Sequence, residues 1–290
     1  MDELRFPPPG ACDCHVHVIG PKRRFPLVRE RTYTPKDAPT DELRAMLARL
    51  GLERVVLVQP SVYGTDNACL VDAIADLGSG ARGVAVLAAD TPGSAVDDLH
   101  RQGVRGLRVN AAIAGSSSLD AVKARLAAAA ALCARNGWHV QAFIPPAAIA
   151  PLAETFEQLP VPVVVDHFGL ISPAAGRSAE EAALVRMLQS GRVWVKLSGA
   201  YRIAQDPADP AITPLARRLA AANPERILWG SDWPHTPPHG RAHVADDEEQ
   251  PYRDLDTRGL LELVRTWFDD ARLQNLLLAE NPARLYGFGS

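Results

Sequence analysis

Short runs of Val, Ile and Leu alternate with amphipathic stretches of helical length eight times along this 290-residue chain. The runs are Ala11–Val18, Arg54–Gln59, Gly83–Leu87, Gly106–Val109, His139–Ile144, Val161–Asp166, Val193–Leu197 and Arg226–Gly230. In VVLV and PVVVD the apolar residues occupy consecutive positions, as in strands covered on both faces of a parallel sheet. The intervening stretches are Thr40–Leu50, Asn67–Leu77, Ser94–Gln102, Leu119–Asn136, Ala147–Leu159, Ala179–Gln189, Ile212–Ala222 and Thr257–Phe268. A further helix, Ala271–Ala279, precedes an NPARLYGF tail. Thr40, followed by Asp41 and Glu42, puts a capping hydroxyl and two carboxylates at a helix start. Gly51, Gly103 and Gly137 each stand where a helix stops before the next strand. Eight β–α units predict an α/β fold of one domain over residues 1–290, a (β/α)8 TIM-type barrel. A doubly wound sheet would bring a glycine-rich phosphate turn after its first strand, and DCHVHVIGP is not one.

Composition removes several functional classes. With 31 Lys+Arg against 34 Asp+Glu, a net charge of −3, the chain has no basic face for nucleic acid and no polybasic membrane patch. The longest apolar candidate, Leu119–Leu132, is broken by Asp120, Lys123 and Arg125, so no transmembrane span is expected. Met1–Gly10 carries Asp2, Glu3 and three prolines, unlike a secretory signal, and a cytoplasmic protein is expected. Cys12, Cys14, Cys69 and Cys133 form no paired metal knuckle and read as small buried hydrophobes without a disulfide. No heptad seam marks a partner helix, so the sequence does not specify an oligomeric state.

Two connections exceed the usual few residues. Ile19–Pro39 follows strand 1, and Trp233–Asp256 follows strand 8. Both leave the C-terminal ends of strands, the face on which barrels build their sites, and closure makes them neighbours. The second loop holds His235, His239, Arg241 and His243, whereas its acidic run Asp246–Glu249 reads as a solvated segment.

His15 and His17, two apart on strand 1, point to one face. His167 ends strand 6, and Asp232 and His235 follow strand 8. All five therefore converge on the barrel axis at its C-terminal end. The ester hydrolysis that the family resemblance given below implies needs a base for water, help at the carbonyl and a grip on any anionic group. Asp232 is the candidate base, able to return its proton to the leaving alkoxide. His15, His17 and His167 are placed to polarise the carbonyl. Arg108, ending strand 4, and Arg202, after strand 7, offer guanidinium forks for a carboxylate. Tyr33, Tyr63, His235, Gln59 and Asn110 add hydrogen-bonding groups at strand ends. Alternation alone does not decide whether Arg105 or Arg108 faces inward.

DCHVH, DH and GSDWPH, in this order, resemble the amidohydrolase superfamily. FPLVRERTYTPKDAP, QPSVYGTDN, GVRGLRVN, WVKLSGAYR and LLAENPARLYGF resemble its lactonase branch, which contains 2-pyrone-4,6-dicarboxylate lactonase, sugar-acid lactonases and galactarolactone isomerase. The resemblance implies hydrolysis of a small carboxylated lactone by Asp-activated water, with Arg108 as the binding arginine. The alternatives it carries are lactone isomerisation, in which a substrate hydroxyl replaces water, and metal-dependent decarboxylation. Strand 4 (GLRVN) and strand 5 (HVQAFIP) depart from the superfamily's binuclear members, which place Lys and His ligands there; Gln141 or Phe143 holds the strand 5 position. The expectation is accordingly no required cofactor, with one divalent ion such as zinc on His15, His17, His167 and Asp232 as the alternative. NAAIAGSSS after strand 4 lacks the further arginine of the pyrone lactonase, which favours a sugar-acid or muconolactone-type substrate.

Overall fold

The computed structural model describes residues 5–112, 118–175, 178–237, 243–244 and 248–289. Its eight parallel strands are β1 (Cys12–Val16), β2 (Arg54–Val58), β3 (Ala81–Ala85), β4 (Val104–Asn110), β5 (His139–Phe143), β6 (Val163–Val165), β7 (Val193–Ser198) and β8 (Ile227–Gly230). Each is followed by its helix: α1 (Thr40–Leu50), α2 (Ala68–Leu77), α3 (Gly93–Arg101), α4 (Leu119–Ala134), α5 (Ile149–Gln158), α6 (Ala179–Gln189), α7 (Ile212–Ala222) and α8 (Thr257–Trp267). Every strand from β1 to β8 pairs with its neighbour in sequence, giving the (β/α)8 barrel.

The barrel closes differently at its last seam. β1 and β8 share no ladder of their own and are joined just beyond β8, at the C-terminal end. Asp232 N donates to His15 O and His17 N donates to Trp233 O, each at 2.8 Å. Asp13 Oδ1 accepts from Ser231 N at 2.9 Å and from His15 N at 3.1 Å. Gly230 makes this approach feasible, because a Cβ there would stand 2.7 Å from His15 Cβ and 2.8 Å from its amide nitrogen.

Burial pushes the Asp13 carboxyl up to about 6, against the backbone donors that favour its ionised form. A folded value above the unfolded one means this group favours folding at low pH and loses that contribution as pH rises through about 6. D13N removes the ionisation. Its melting temperature relative to wild type should rise between about pH 4.5 and pH 7; a difference that stays flat would refute this placement of Asp13.

A bulge on β1 shapes the site. Asp13 pairs with Val55 and Val16 with Leu57, so β1 spends one more residue than β2 over this interval. Cys12 and Cys14 pack inside the barrel with Val56, Val58, Val84, Val164 and Leu228. Strict alternation would then turn His15 and His17 outward toward the helices. The extra residue turns them back in, as bulges beside active sites do. Alternation predicted that the two histidines share a face, and the bulge is why that face is the interior.

Val55, Leu57 and Val195 face the other way, into the larger core against Leu43, Leu126 and Leu215 of the helices. Tyr286 and Phe288 close the N-terminal end of the barrel, where Arg54 and Arg82 lie over the Phe288 ring and bind the carbonyls of Gly289 and Gly287. The two long loops are neighbours: Glu30–Arg31 pairs antiparallel with His243–Val244, and Gln250 N donates to Thr34 O.

Three local expectations are corrected. Pro39 occupies the cap position of α1 and Thr40 is its first helical residue, with no side-chain cap bond. The NPARLYGF tail is helical through Tyr286, continuing from Ala271–Asn275 through a π-helical turn at Leu276–Glu280. The strand runs are also trimmed or extended at their ends, as at β6, where only Val163–Val165 pairs.

Candidate active site

Four side chains meet at the C-terminal mouth of the barrel. Asp232 Oδ1 lies 3.7 Å from His15 Nε2 and 3.6 Å from His17 Nε2, and Asp232 Oδ2 lies 4.0 Å from His167 Nε2. All four residues are buried. His167, Asp232 and His235 have φ of 52°, 64° and 66°, a left-handed conformation that Asp and His tolerate better than most side chains. Three such residues at two strand ends are local strain held in place by the surrounding fold.

The two oxygens of Asp232 live in different environments. Oδ2 accepts from the Tyr201 hydroxyl at 2.6 Å and from Arg202 Nε at 2.5 Å. Oδ1 accepts no hydrogen bond, although it is buried. Burial alone would raise this carboxyl, but Arg202 and the histidines hold it well below the usual carboxylate range. Arg202 also donates to Thr236 Oγ1 at 2.9 Å, so its guanidinium spans the β7 and β8 ends. Burial pulls His15 well below its ordinary value and His167 down to about 4, so both rings are neutral at physiological pH.

The histidines are oriented from behind. His17 Nδ1 lies 2.7 Å from Val58 O. A carbonyl can only accept, so this nitrogen carries a proton, and in the neutral ring Nε2 then presents its lone pair to the site. His167 Nδ1 meets Ser198 Oγ at 2.9 Å. Beneath His15 sits a buried polar layer: Asp166 Oδ1 is 3.3 Å from His15 Nδ1, and Gln141 Nε2 donates to Asp166 Oδ2 at 3.0 Å. Lys196 Nζ donates to Gln141 Oε1 at 2.6 Å.

The remaining expected residues take varied places. Arg108 is turned inward over the Phe143 ring and donates to Gln59 O at 3.1 Å; its Nε has no hydrogen-bond partner and lies 4.0 Å from Asp166 Oδ2. Arg105 instead binds the His100 and Val104 carbonyls. Tyr33 is buried near Arg202 and Arg108, which act on its hydroxyl. The Tyr63 hydroxyl accepts from Gly20 N at 3.1 Å and so ties down the first long loop. Gln59 Nε2 donates to Asp66 O at 2.7 Å, and Asn110 O accepts from Arg125 at 2.9 Å. His235 Nε2 meets Thr257 Oγ1 at 3.0 Å while its ring stands edge-on to Tyr201. His239, Arg241, Asp246 and Asp247 lie outside the described residues, as does most of AIAGSSS.

Tyr201, Lys196 and Asp166 are functional neighbours that the sequence reading did not single out. A usable signal existed for Lys196. It stands in VWVKLS, a strand whose residues are all buried, so its charge has no solvent face.

Against known proteins, a family model described as amidohydrolase matches residues 12–288. The chain is 37% identical to a 2-pyrone-4,6-dicarboxylate hydrolase of Comamonas testosteroni, over 96% of this chain and 90% of the relative. It is 34% identical to a 4-sulfomuconolactone hydrolase of Rhizobium radiobacter, over 97% and 91% of the two chains. A crystal structure of a probable 2-pyrone-4,6-dicarboxylic acid hydrolase from Acinetobacter baumannii, with citric acid bound, superposes with a TM-score of 0.78 at 26% identity. That match covers 96% of this chain and all of the other.

Proposed function

This chain belongs to the amidohydrolase family, and from that premise we propose that it hydrolyses the ester bond of a small lactone bearing a carboxylate, with Asp232 activating water. The observation that carries the reading is the asymmetry of the Asp232 carboxylate. Tyr201 and Arg202 fix Oδ2, while Oδ1 is buried, open and faced by His15 and His17. A buried acceptor of this kind is satisfied by a water molecule, and it is correctly disposed to take that water's proton.

In the forward step, the water oxygen bonds to the lactone carbonyl carbon as its proton passes to Asp232 Oδ1. The carbonyl oxygen gains the electron pair and is met by an imidazole that offers it an N–H. Collapse breaks the ring C–O bond, and the departing alkoxide takes the proton back from Asp232. One water and one lactone give one hydroxy acid. A carboxylate held this far below its usual range is a weak base, so water activation depends on simultaneous polarisation of the carbonyl. Arg108, with a buried and unpartnered Nε, and Tyr33 beside it are the grip for the substrate carboxylate. The two curated relatives, by their names, act on lactones bearing acid groups, which supports an anionic substrate.

The donor set also suits one divalent ion. One ligand atom each from His15, His167 and Asp232 lie within 4.8 Å of one another, and His17 Nε2 faces the same carboxylate. These four residues would hold the ion, which would supply Lewis acidity at the carbonyl. Our reading is catalysis without it, supported by three cations with buried side chains, Arg202 beside Asp232 and Lys196 and Arg108 beside Asp166. A panel of carboxylated lactones, assayed with and without chelator and followed by proton NMR, tests both points. Ring-opened hydroxy acid formed at an unchanged rate in chelator is expected. A rearranged lactone as product would make the enzyme an isomerase, and loss of activity restored by zinc would install the ion.

A further inference from the structure

Lys196 is buried at the base of the site, and no step of the proposed hydrolysis uses it. A lysine nitrogen can only donate, and inside a protein it must find acceptors. It has one at 2.6 Å in Gln141 Oε1. Gln141 is itself oriented, because its amide nitrogen donates to Asp166 Oδ2 at 3.0 Å and so turns its oxygen to the lysine. The next acceptor is His15 Nδ1, at 3.4 Å. Asp166 Oδ1 is slightly nearer to that ring nitrogen, at 3.3 Å, and its charge favours a proton there, but the two do not meet hydrogen-bond geometry. The contact that meets hydrogen-bond geometry at His15 Nδ1 is therefore the one from Lys196.

A ring nitrogen that accepts a hydrogen bond does not carry the proton of a neutral imidazole; the other nitrogen does. We propose that Lys196, seated by Gln141, is a positioning residue that fixes His15 as the Nε2–H tautomer, so that this ring offers a donor to the developing lactone oxyanion. The consequence for rate rests on the lactone-hydrolase reading; the tautomer does not. His15 and His17 then have opposite tasks although they sit on one strand. His17, protonated at Nδ1 by its bond to Val58 O, presents an acceptor; His15, with Lys196 on its Nδ1, presents a donor. The pair can hold a water by its hydrogen and a carbonyl by its oxygen.

Nitrogen-15 NMR of histidine-labelled protein reads this directly, with the H15N variant used to assign the signals. In the wild type, His15 should be protonated at Nε2 with Nδ1 as acceptor. K196M keeps the length of the side chain without its donor, and there His15 should move to the Nδ1–H form facing Asp166. The same variant should lose about 10²-fold in kcat, the scale of one lost oxyanion donor, with KM little changed. A wild-type ring protonated at Nδ1 overturns the proposal, and so does an unchanged tautomer in K196M. If K196M does not fold, the wild-type spectrum still decides. If no lactone is turned over, the spectrum decides independently of that failure.

Discussion

D232N lowers kcat roughly 10²–10⁴-fold, the range attributable to a positioned general base, while a ring-opened product still binds. Binding should persist because the amide oxygen can still accept from Tyr201 and Arg202, which now meet Asp232 Oδ2. Arg108, the proposed anion grip, is on a different strand and untouched. What the variant lacks is an anionic oxygen at the Oδ1 position that can receive water's proton. Stopped-flow turnover paired with calorimetric titration of the hydroxy acid separates the two effects. Turnover near the wild-type rate would end the assignment of Asp232 as base; loss of binding and turnover together would make it a structural residue.

R202M is the second large effect, and it appears first in stability. The Arg202 side chain is 8% exposed and that of Asp232 fully buried, and the two share a 2.5 Å charge-assisted hydrogen bond. Removing one partner of such a pair leaves a buried charge uncompensated, at a cost of about 3–5 kcal/mol. For a chain of this size that corresponds to a fall in Tm on the order of 10 °C. The pH dependence follows from the direction of the shift. Asp232 is held low in the fold, so its contribution is fully present above the unfolded carboxylate value and disappears as pH falls through the folded one. Without Arg202 the folded value rises, so the contribution shrinks and its loss on acidification is complete at a higher pH. The double variant D232N/R202M, which buries no charge at this pair, should recover part of the lost stability. Equal melting temperatures for R202M and wild type would show that the pair contributes nothing.

The eight β–α units, and the five residues His15, His17, His167, Asp232 and His235, were legible because both signals are local. A strand covered on two faces writes itself in consecutive apolar residues, and a polar residue at its C-terminal end is exceptional within its own few neighbours. The β1 bulge was not legible, since it depends on how Asp13 and Val16 register against Val55 and Leu57, some forty residues away. Tyr201 and Lys196 were missed for a related reason. Their partners, Asp232, Gln141 and Asp166, come from other strands, and only closure of the barrel brings them within hydrogen-bond reach. Arg202 was read as a hand for the substrate; in the fold its Nε is on Asp232, which sequence spacing does not encode.

The closing seam has a consequence of its own. Of the proposed catalytic groups, His15 sits on the first strand and Asp232 just beyond the last, and bonds that join the two ends run through the backbone of these residues. Every intermediate with seven strands in place, every half-barrel and every fragment lacking either edge is therefore chemically silent. Sequence-distant pairing of this kind also forms late, because the long loop it closes must first lose its conformational freedom. Turnover in this enzyme is thus a gauge of completion: it reports the moment at which a curved open sheet becomes a ring.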